Sequence, residues 1–511
     1  MKTDKILYSL LAACLLLAGA CAEDKGNYDY TPINEVIIDS IPSVRYCEAG
    51  GRLYIKPDIK SLNEATADLS YSWSVENKEI STNKILDIAL PPLDYKRHLA
   101  ALTVTDNVTK MQYRETFYLE VTSPFNWGYY FLTRKDDGAT EIAYIQATPD
   151  VEPTMEDVKH VTGCGDYGFG NEPLQLVNAF GSFQSLGSYY WTIIVLTKEG
   201  DYKAIVTNNN TFLATALITE ESFSDPVYRF KPERGVFNRP GDLFFVSEGK
   251  LVKFIKNDAR AGFLYRPANH DKEYYWSNPC FSGNGLAFCW AYDELTHKYY
   301  ALEPYTSSNS NPAAGIYADA NAYDKVVEIE NNVEIKGKHI NAFSGYGSTT
   351  FYAYTFDADG IHAYDFNAAG SNPRVYSFTG ETIIPLAGLN EKAMIATSSI
   401  GLAANHWYIN NGNVIHYSPI ISPQLNVWKE LPSDLGLGTI EFIGFSARGS
   451  RMVVVLYDEN SPEERKGSVV FIDVATKEIT HTFPHILHHC VDYGGFNTST
   501  SSFMGNPGDV K

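Results

Sequence analysis

The chain has 511 residues and a formal net charge of −20, with 44% hydrophobic and 14% aromatic residues. That length predicts two to four domains with ample apolar core. The acidic excess argues against nucleic acid and anionic lipid as direct partners, because both are polyanions.

Residues 1–20 read as an export signal: Lys2 and Lys5 precede an apolar run over 6–17, and Ala18, Gly19 and Ala20 stand directly before Cys21. The run is too short to span a bilayer, which takes about 20 apolar residues. A cysteine directly behind a small-residue cleavage site resembles the lipobox of bacterial lipoproteins, which implies that Cys21 carries the lipid anchor. The segment Leu11-Ala12-Ala13-Cys14 fits the lipobox pattern more closely, since Ala18 stands where Leu is usual. Cleavage there would leave a core of only about eight residues and an apolar mature end, so Cys21 is preferred. A secretory signal with an incidental cysteine is the plainer alternative. Glu23 and Asp24 look like the acidic signal that sends lipoproteins of Bacteroidota to the outer leaflet of the outer membrane, or else they belong to a solvated linker.

After a tether over 21–34, short segments with period-two alternation occupy 36–41, 53–59, 71–75, 85–90, 102–104 and 117–121. They predict a β-sandwich over 35–123. Ser70-Tyr71-Ser72-Trp73-Ser74-Val75, followed by Ala101-Leu102-Thr103-Val104-Thr105-Asp106-Asn107, resembles the paired signature of PKD-type immunoglobulin-like domains. The resemblance implies that Trp73 packs between the sheets and that the V-x-D segment ends a late strand in a turn. The usual W-x-F-G-D-G run is replaced by Val75-Glu76-Asn77-Lys78. Together with the start at Cys21 and the junction Asn126-Trp127-Gly128-Tyr129-Tyr130-Phe131-Leu132, the chain resembles the PKD-like lipoproteins of Bacteroidota. That implies a surface-exposed outer-membrane lipoprotein that hands a nutrient to a TonB-dependent transporter of the SusC/SusD type and its lid lipoprotein.

From 124 to 511 the pattern is serial hairpins: 129–145, 193–206, 243–254, 286–302, 351–364, 406–417 and 452–483, the last turning at Ala475-Thr476-Lys477-Glu478. Recurrence at roughly 50 to 65 residues predicts a β-propeller of seven blades. Eight blades also fit, with 393–398 and 440–445 as unassigned strands, and stacked sandwiches would give serial hairpins too.

With Cys21 acylated, Cys47, Cys164, Cys280, Cys289 and Cys490 remain, an odd set with no metal-module spacing. Cys280 and Cys289 flank a turn-rich segment that would let them pair; the alternative makes Cys289 a buried strand residue. His481, His485, His488 and His489 are clustered, and the last three are weak metal candidates. On a strand, His488 and His489 would point apart, which favours a partly buried strand end. Asp357-x-Asp359-Gly360 reads as a hairpin turn rather than a calcium loop, because Thr355 and Phe366 stand where ligands belong.

No G-x-S-x-G, H-E-x-x-H, Walker loop or dinucleotide fingerprint occurs, so neither an enzyme nor a cofactor is expected. Paired carboxylates brought together by a propeller keep a glycan hydrolase or lyase as an alternative. Two aromatic segments are candidate recognition surfaces, with Tyr167 and Phe169 in one and Tyr274, Tyr275 and Trp276 in the other. Core packing is the plainer reading of both. The leading expectation is capture of an extracellular glycan, with peptides, siderophores or other metal complexes as substitutes, and adhesion or scaffolding as a third class.

Overall fold

A computed structural model describes residues 34–48, 50–62, 68–91, 93–94, 96–122, 125, 128–146, 153–181, 190–208, 211–222, 229–238, 242–254, 262–264, 273–281, 289–303, 325–344, 349–370, 374–398, 403, 405–446 and 449–496. The export signal, Cys21, Glu23, Asp24, Asn126 and Trp127 lie outside these residues. The chain divides into two compact units, Met1–Val121 and Thr122–Lys511.

The first unit is an immunoglobulin-like β-sandwich. Its strands are β1 (Val36–Asp39), β2 (Val44–Glu48), β3 (Arg52–Ile55), β4 (Asp58–Ser61), β5 (Leu69–Val75), β6 (Lys78–Ser81), β7 (Leu86–Ala89), β8 (Arg97–Asp106) and β9 (Gln112–Thr122). They form a five-stranded sheet in the order β2-β9-β8-β5-β6 and the pairs β3-β7 and β1-β4. Trp73, Val75, Leu102, Val104, Phe117 and Leu119 from the large sheet pack with Leu53, Ile55 and Leu86 from the smaller one. Trp73 is fully buried, its ring edge-on to Phe117 and its Nε1–H donated to the Asn83 carbonyl at 2.9 Å. The segment expected as one strand over 53–59 is two: Pro57, which has no N–H to donate, falls where the chain leaves its pairing with β7 and takes up pairing with β1. Strands β2 and β6 escaped the sequence pattern because β2 buries only Cys47 and β6 buries nothing fully.

The second unit is a β-propeller, with seven four-stranded blades among the described residues. Blade 1 takes three strands from the start of the unit (Gly128–Arg134, Thr140–Gln146, Val158–Val161) and its innermost strand, His489–Phe496, from the C-terminal end. The innermost strands of blades 2 to 7 are Asn171–Gly181, Pro232–Asn238, Trp276–Phe281, Lys338–Ser344, Ile395–Thr397 and Thr439–Phe445. The two segments that left room for an eighth blade are the inner strands of blades 6 and 7, so the described residues hold seven.

Middle strands such as Cys289–Asp293 and Gly467–Asp473 are buried along nearly their whole length. Blades pack face to face, so both faces of a middle strand are covered and period-two alternation disappears. Cys280 pairs in register with Trp290 and Cys289 with Phe281. The two thiols enter different apolar clusters, one shared with blade 5 and the other with blade 3, and they are not joined. The disulfide alternative is therefore corrected, and burial pushes the Cys289 thiol well above its ordinary range.

Candidate ligand-binding site in the central channel

Six of the seven inner strands carry a β-bulge near their start. The pairing register slips between Pro173 and Gln175, Pro232 and Arg234, Ser277 and Cys280, His339 and Asn341, Ile440 and Phe442, and Cys490 and Asp492. A bulge inserts an unpaired residue and re-aims the side chains beside it. Repeated around a ring of inner strands, it turns Leu174, Glu233, Asn278, Ile340 and Val491 toward the axis, where they line a cavity of about 400 Å³. Blade 6 contributes Met394 and Ile395 and blade 7 Phe442, so every blade reaches this cavity. Because the lining falls at the beginnings of the inner strands, the cavity lies at the end of the channel shared with the second-to-third-strand hairpins and the blade-to-blade connections.

At four of the six bulges, those of blades 1, 2, 3 and 5, the residue after the bulge latches its blade to the next. Asp492 accepts the Leu176 N–H at 2.8 Å, and Gln175 accepts the Gly235 N–H at 2.8 Å. Arg234 donates through Nη1 to Asn278 Oδ1 at 2.8 Å, and Asn341 donates to the Ile395 carbonyl at 2.9 Å. At the blade 7 bulge itself, Glu441 accepts the Cys490 N–H at 3.0 Å. Polar groups thus stand in the middle of an otherwise apolar ring: the inner strands meet at the axis without a shared sheet ladder, and Asp492, Gln175 and Glu441 supply acceptors for backbone N–H groups there while Asn341 supplies a donor for a carbonyl.

Chemically, the cavity offers one cation, two carboxylates and several neutral amide and hydroxyl groups over an apolar floor of Ile340, Met394 and Phe442. The Glu233 carboxylate is turned toward the rim, where it accepts the Gly249 N–H and the Tyr275 hydroxyl, each at 3.2 Å. Burial, followed by the Glu233 charge, raises the Tyr275 phenol above its ordinary value.

The five aromatic residues expected to form a recognition surface separate. Tyr275 is exposed and reaches the cavity rim through Glu233. Tyr274 is partly buried and stacks on Trp276 at 4.5 Å. Trp276 is 2% exposed in the core between blades 3 and 4, so its expected part in ligand stacking is corrected. Phe169 packs edge-on to Phe212, and Tyr167, 37% exposed, lies edge-on to Tyr202; neither lines the cavity.

The histidine candidates for a metal also part. The His485 backbone N–H donates to Ser468 Oγ at 2.9 Å, while buried His488 lies 3.7 Å from Glu141. His489 bonds Glu441 at 2.8 Å and stacks on Tyr457. Among the described residues no group of three or more His, Cys, Asp or Glu side chains is placed to hold a metal ion.

Sequence reading missed the cavity residues Arg234, Gln175, Asn341 and Asp492. Their one signal is a polar residue set just ahead of a short apolar run at an inner-strand start.

In the N-terminal unit the deciding pair is in place, with Trp73 between the sheets and Asp106 closing the turn after β8 by accepting the N–H groups of Val108 and Thr109 at 2.8 and 3.1 Å. Residues 21–164 match the PKD-like family. The PKD-like match runs past the sandwich and through the three N-terminal strands of blade 1. No curated protein matches the chain.

Among solved structures, the chain is similar to the periplasmic gluconolactonase of Pseudomonas aeruginosa, with 13% identity over 73% of this chain and 99% of that one and a TM-score of 0.47. It is also similar to a quinonprotein alcohol dehydrogenase-like protein of Bacteroides thetaiotaomicron, with 12% identity, 88% and 96% coverage and a TM-score of 0.39. A Lactobacillus plantarum protein matches at 10% identity, with 73% and 100% coverage and a TM-score of 0.46.

Proposed function

We propose that the protein is an outer-membrane lipoprotein, anchored through Cys21 and facing outward, whose propeller binds a short saccharide for delivery to a TonB-dependent transporter of the SusC/SusD type. The observation that carries the binding reading is the cavity of about 400 Å³ to which all seven blades contribute. Its size falls within the usual range for small-ligand sites, roughly 300–1,000 Å³. The lining mixes the two contacts a sugar ring needs. Amides and hydroxyls such as Gln175, Asn278, Ser277 and Asn341 meet hydroxyl groups, and Ile340, Met394 and Phe442 meet the apolar ring face. A cavity at the channel end suits one end of a short chain better than the middle of a polymer, which favours capture of oligosaccharides already released.

The test is a binding screen of the full chain in detergent against neutral and acidic mono- and oligosaccharides, peptides and ferric siderophores. A saccharide is expected to bind, and Ser277→Trp, which fills the cavity, to abolish binding. Saccharide binding unaffected by Ser277→Trp would move the site elsewhere, and reducing sugar released by the wild-type protein would favour a glycan hydrolase. For the anchor, Cys21→Ala is expected to free the protein from the outer membrane. Release by Cys14→Ala alone would reassign the anchor.

A further inference from the structure

The charges around the cavity are not equally matched. Besides its rim contacts to Gly249 and Tyr275, Glu233 has no role in the latches, and the Asp492 oxygens take the backbone N–H groups of Leu176 and Tyr493 at 2.8 and 2.9 Å. Arg234 stands beside them without a counter-ion. Its Nη1 donates to the neutral Oδ1 of Asn278 at 2.8 Å, its Nε is buried with no hydrogen-bond partner, and among the described residues no carboxylate pairs with it. A half-buried guanidinium with no anion is an expensive arrangement, and a latch alone would be served as well by a neutral amide, as Gln175 and Asn341 demonstrate on other inner strands. Asn278 is held at φ 46°, in the left-handed region that a non-glycine residue rarely adopts, at the bulge before Pro279. Strain of this kind persists where the surroundings enforce it, and it concentrates at ligand-binding sites.

We infer that the cavity is selective for an acidic sugar of the uronate type, whose carboxylate pairs with the Arg234 guanidinium while its hydroxyls meet Asn278, Ser277 and the other neutral groups. This rests on the proposed saccharide-binding function and names the class of sugar. A planar carboxylate matches the guanidinium fork and carries one negative charge for the one unpaired cation. A phosphate dianion would bring two charges to a cavity already lined by Glu233 and Asp492, with no second cation among its lining residues.

The experiment is calorimetric titration of the full chain in detergent with D-glucuronate and D-galacturonate, with their neutral counterparts D-glucose and D-galactose, and with glucose 6-phosphate. A uronate is expected to bind about ten-fold or more tighter than its neutral counterpart. Arg234→Gln is expected to erase that preference. Asn278→Asp is expected to erase it too, because the new carboxylate neutralises the guanidinium from within; this variant keeps the test informative if loss of Arg234 prevents folding. Equal binding of uronate and neutral sugar by the wild type, or a uronate preference that survives in either folded variant, overturns the inference while leaving saccharide binding in the cavity intact. A preference for glucose 6-phosphate overturns it in favour of a phosphate ligand. Absence of binding by all five sugars overturns this inference, and the saccharide reading falls with it only when the oligosaccharides of the binding screen fail to bind as well.

Discussion

His362 sits almost fully buried between two carboxylates, with Nε2 2.9 Å from Asp357 and Nδ1 2.7 Å from Glu381. Burial alone would lower its pKa, but Asp357 and then Glu381 outweigh it and hold the net value above that of an ordinary histidine. A pKa raised on folding contributes stability that is complete below the unfolded value, about 6.5, and fades as pH rises through the higher folded value. The melting temperature of the wild type is therefore expected to fall more than that of His362→Gln as pH rises from about 6 to 9. Parallel curves would remove His362 from the account. In the sandwich, Trp73→Ala should destabilise that unit by about 3–5 kcal/mol, read from denaturant midpoints, because it empties the site between the sheets and removes the bond to Asn83. Trp73 was legible in the sequence because its neighbours carry a recognisable signature. Trp276 misled because an aromatic residue that follows a polar loop looks exposed, and only the packing of blade 4 on blade 3 buries it.

At the scale of elements, most of the recurring hairpins read from the sequence join the second and third strands of a blade, where tight turns such as Glu248-Gly249 punctuate apolar runs. The last one differs: its turn at Ala475–Glu478 joins the third and fourth strands of blade 7, because the second and third are separated by the longer segment 458–466. Inner strands were harder to read. They are short in blade 6 and interrupted by bulges elsewhere, and a bulge leaves no mark in local composition while shifting every later side chain by one position. For that reason the cavity, which the bulges build, was invisible although the propeller was not. The latches predict their own energetics. Gln175→Ala leaves the buried Gly235 N–H without its acceptor and should cost about 1–3 kcal/mol, whereas Gln175→Glu, which keeps an acceptor, should cost less. If both variants unfold at the same denaturant concentration as the wild type, the latch contributes nothing measurable.

On the scale of the whole molecule, the propeller closes by mixing its two ends, and stability should depend on that seam more than on any one blade. The C-terminal strand His489–Phe496 pairs along Gly128–Arg134, places Tyr493 in the core beside Phe131 and Phe442, and sends Asp492 to Leu176 of blade 2. A second clamp crosses the same seam. Buried Glu141 of blade 1 accepts two bonds at 3.0 Å from Arg465, which precedes the third strand of blade 7. Burial would raise the Glu141 pKa, but the Arg465 pair outweighs it and the net value is depressed, so this contribution is present above the unfolded carboxylate pKa and is lost as pH falls through the lower folded one. Deleting residues 489–511 should therefore open the ring: blade 1 loses its inner strand, blade 2 loses the acceptor for Leu176, and the apolar faces of blades 1 and 7 lose Tyr493 between them. The sandwich has its own core and is a separate compact unit, so it should keep its transition. Scanning calorimetry of the truncated chain is expected to retain the sandwich endotherm and to lose the cooperative propeller one, together with saccharide binding. A propeller endotherm of unchanged temperature and enthalpy would mean that the ring does not depend on its C-terminal strand for closure.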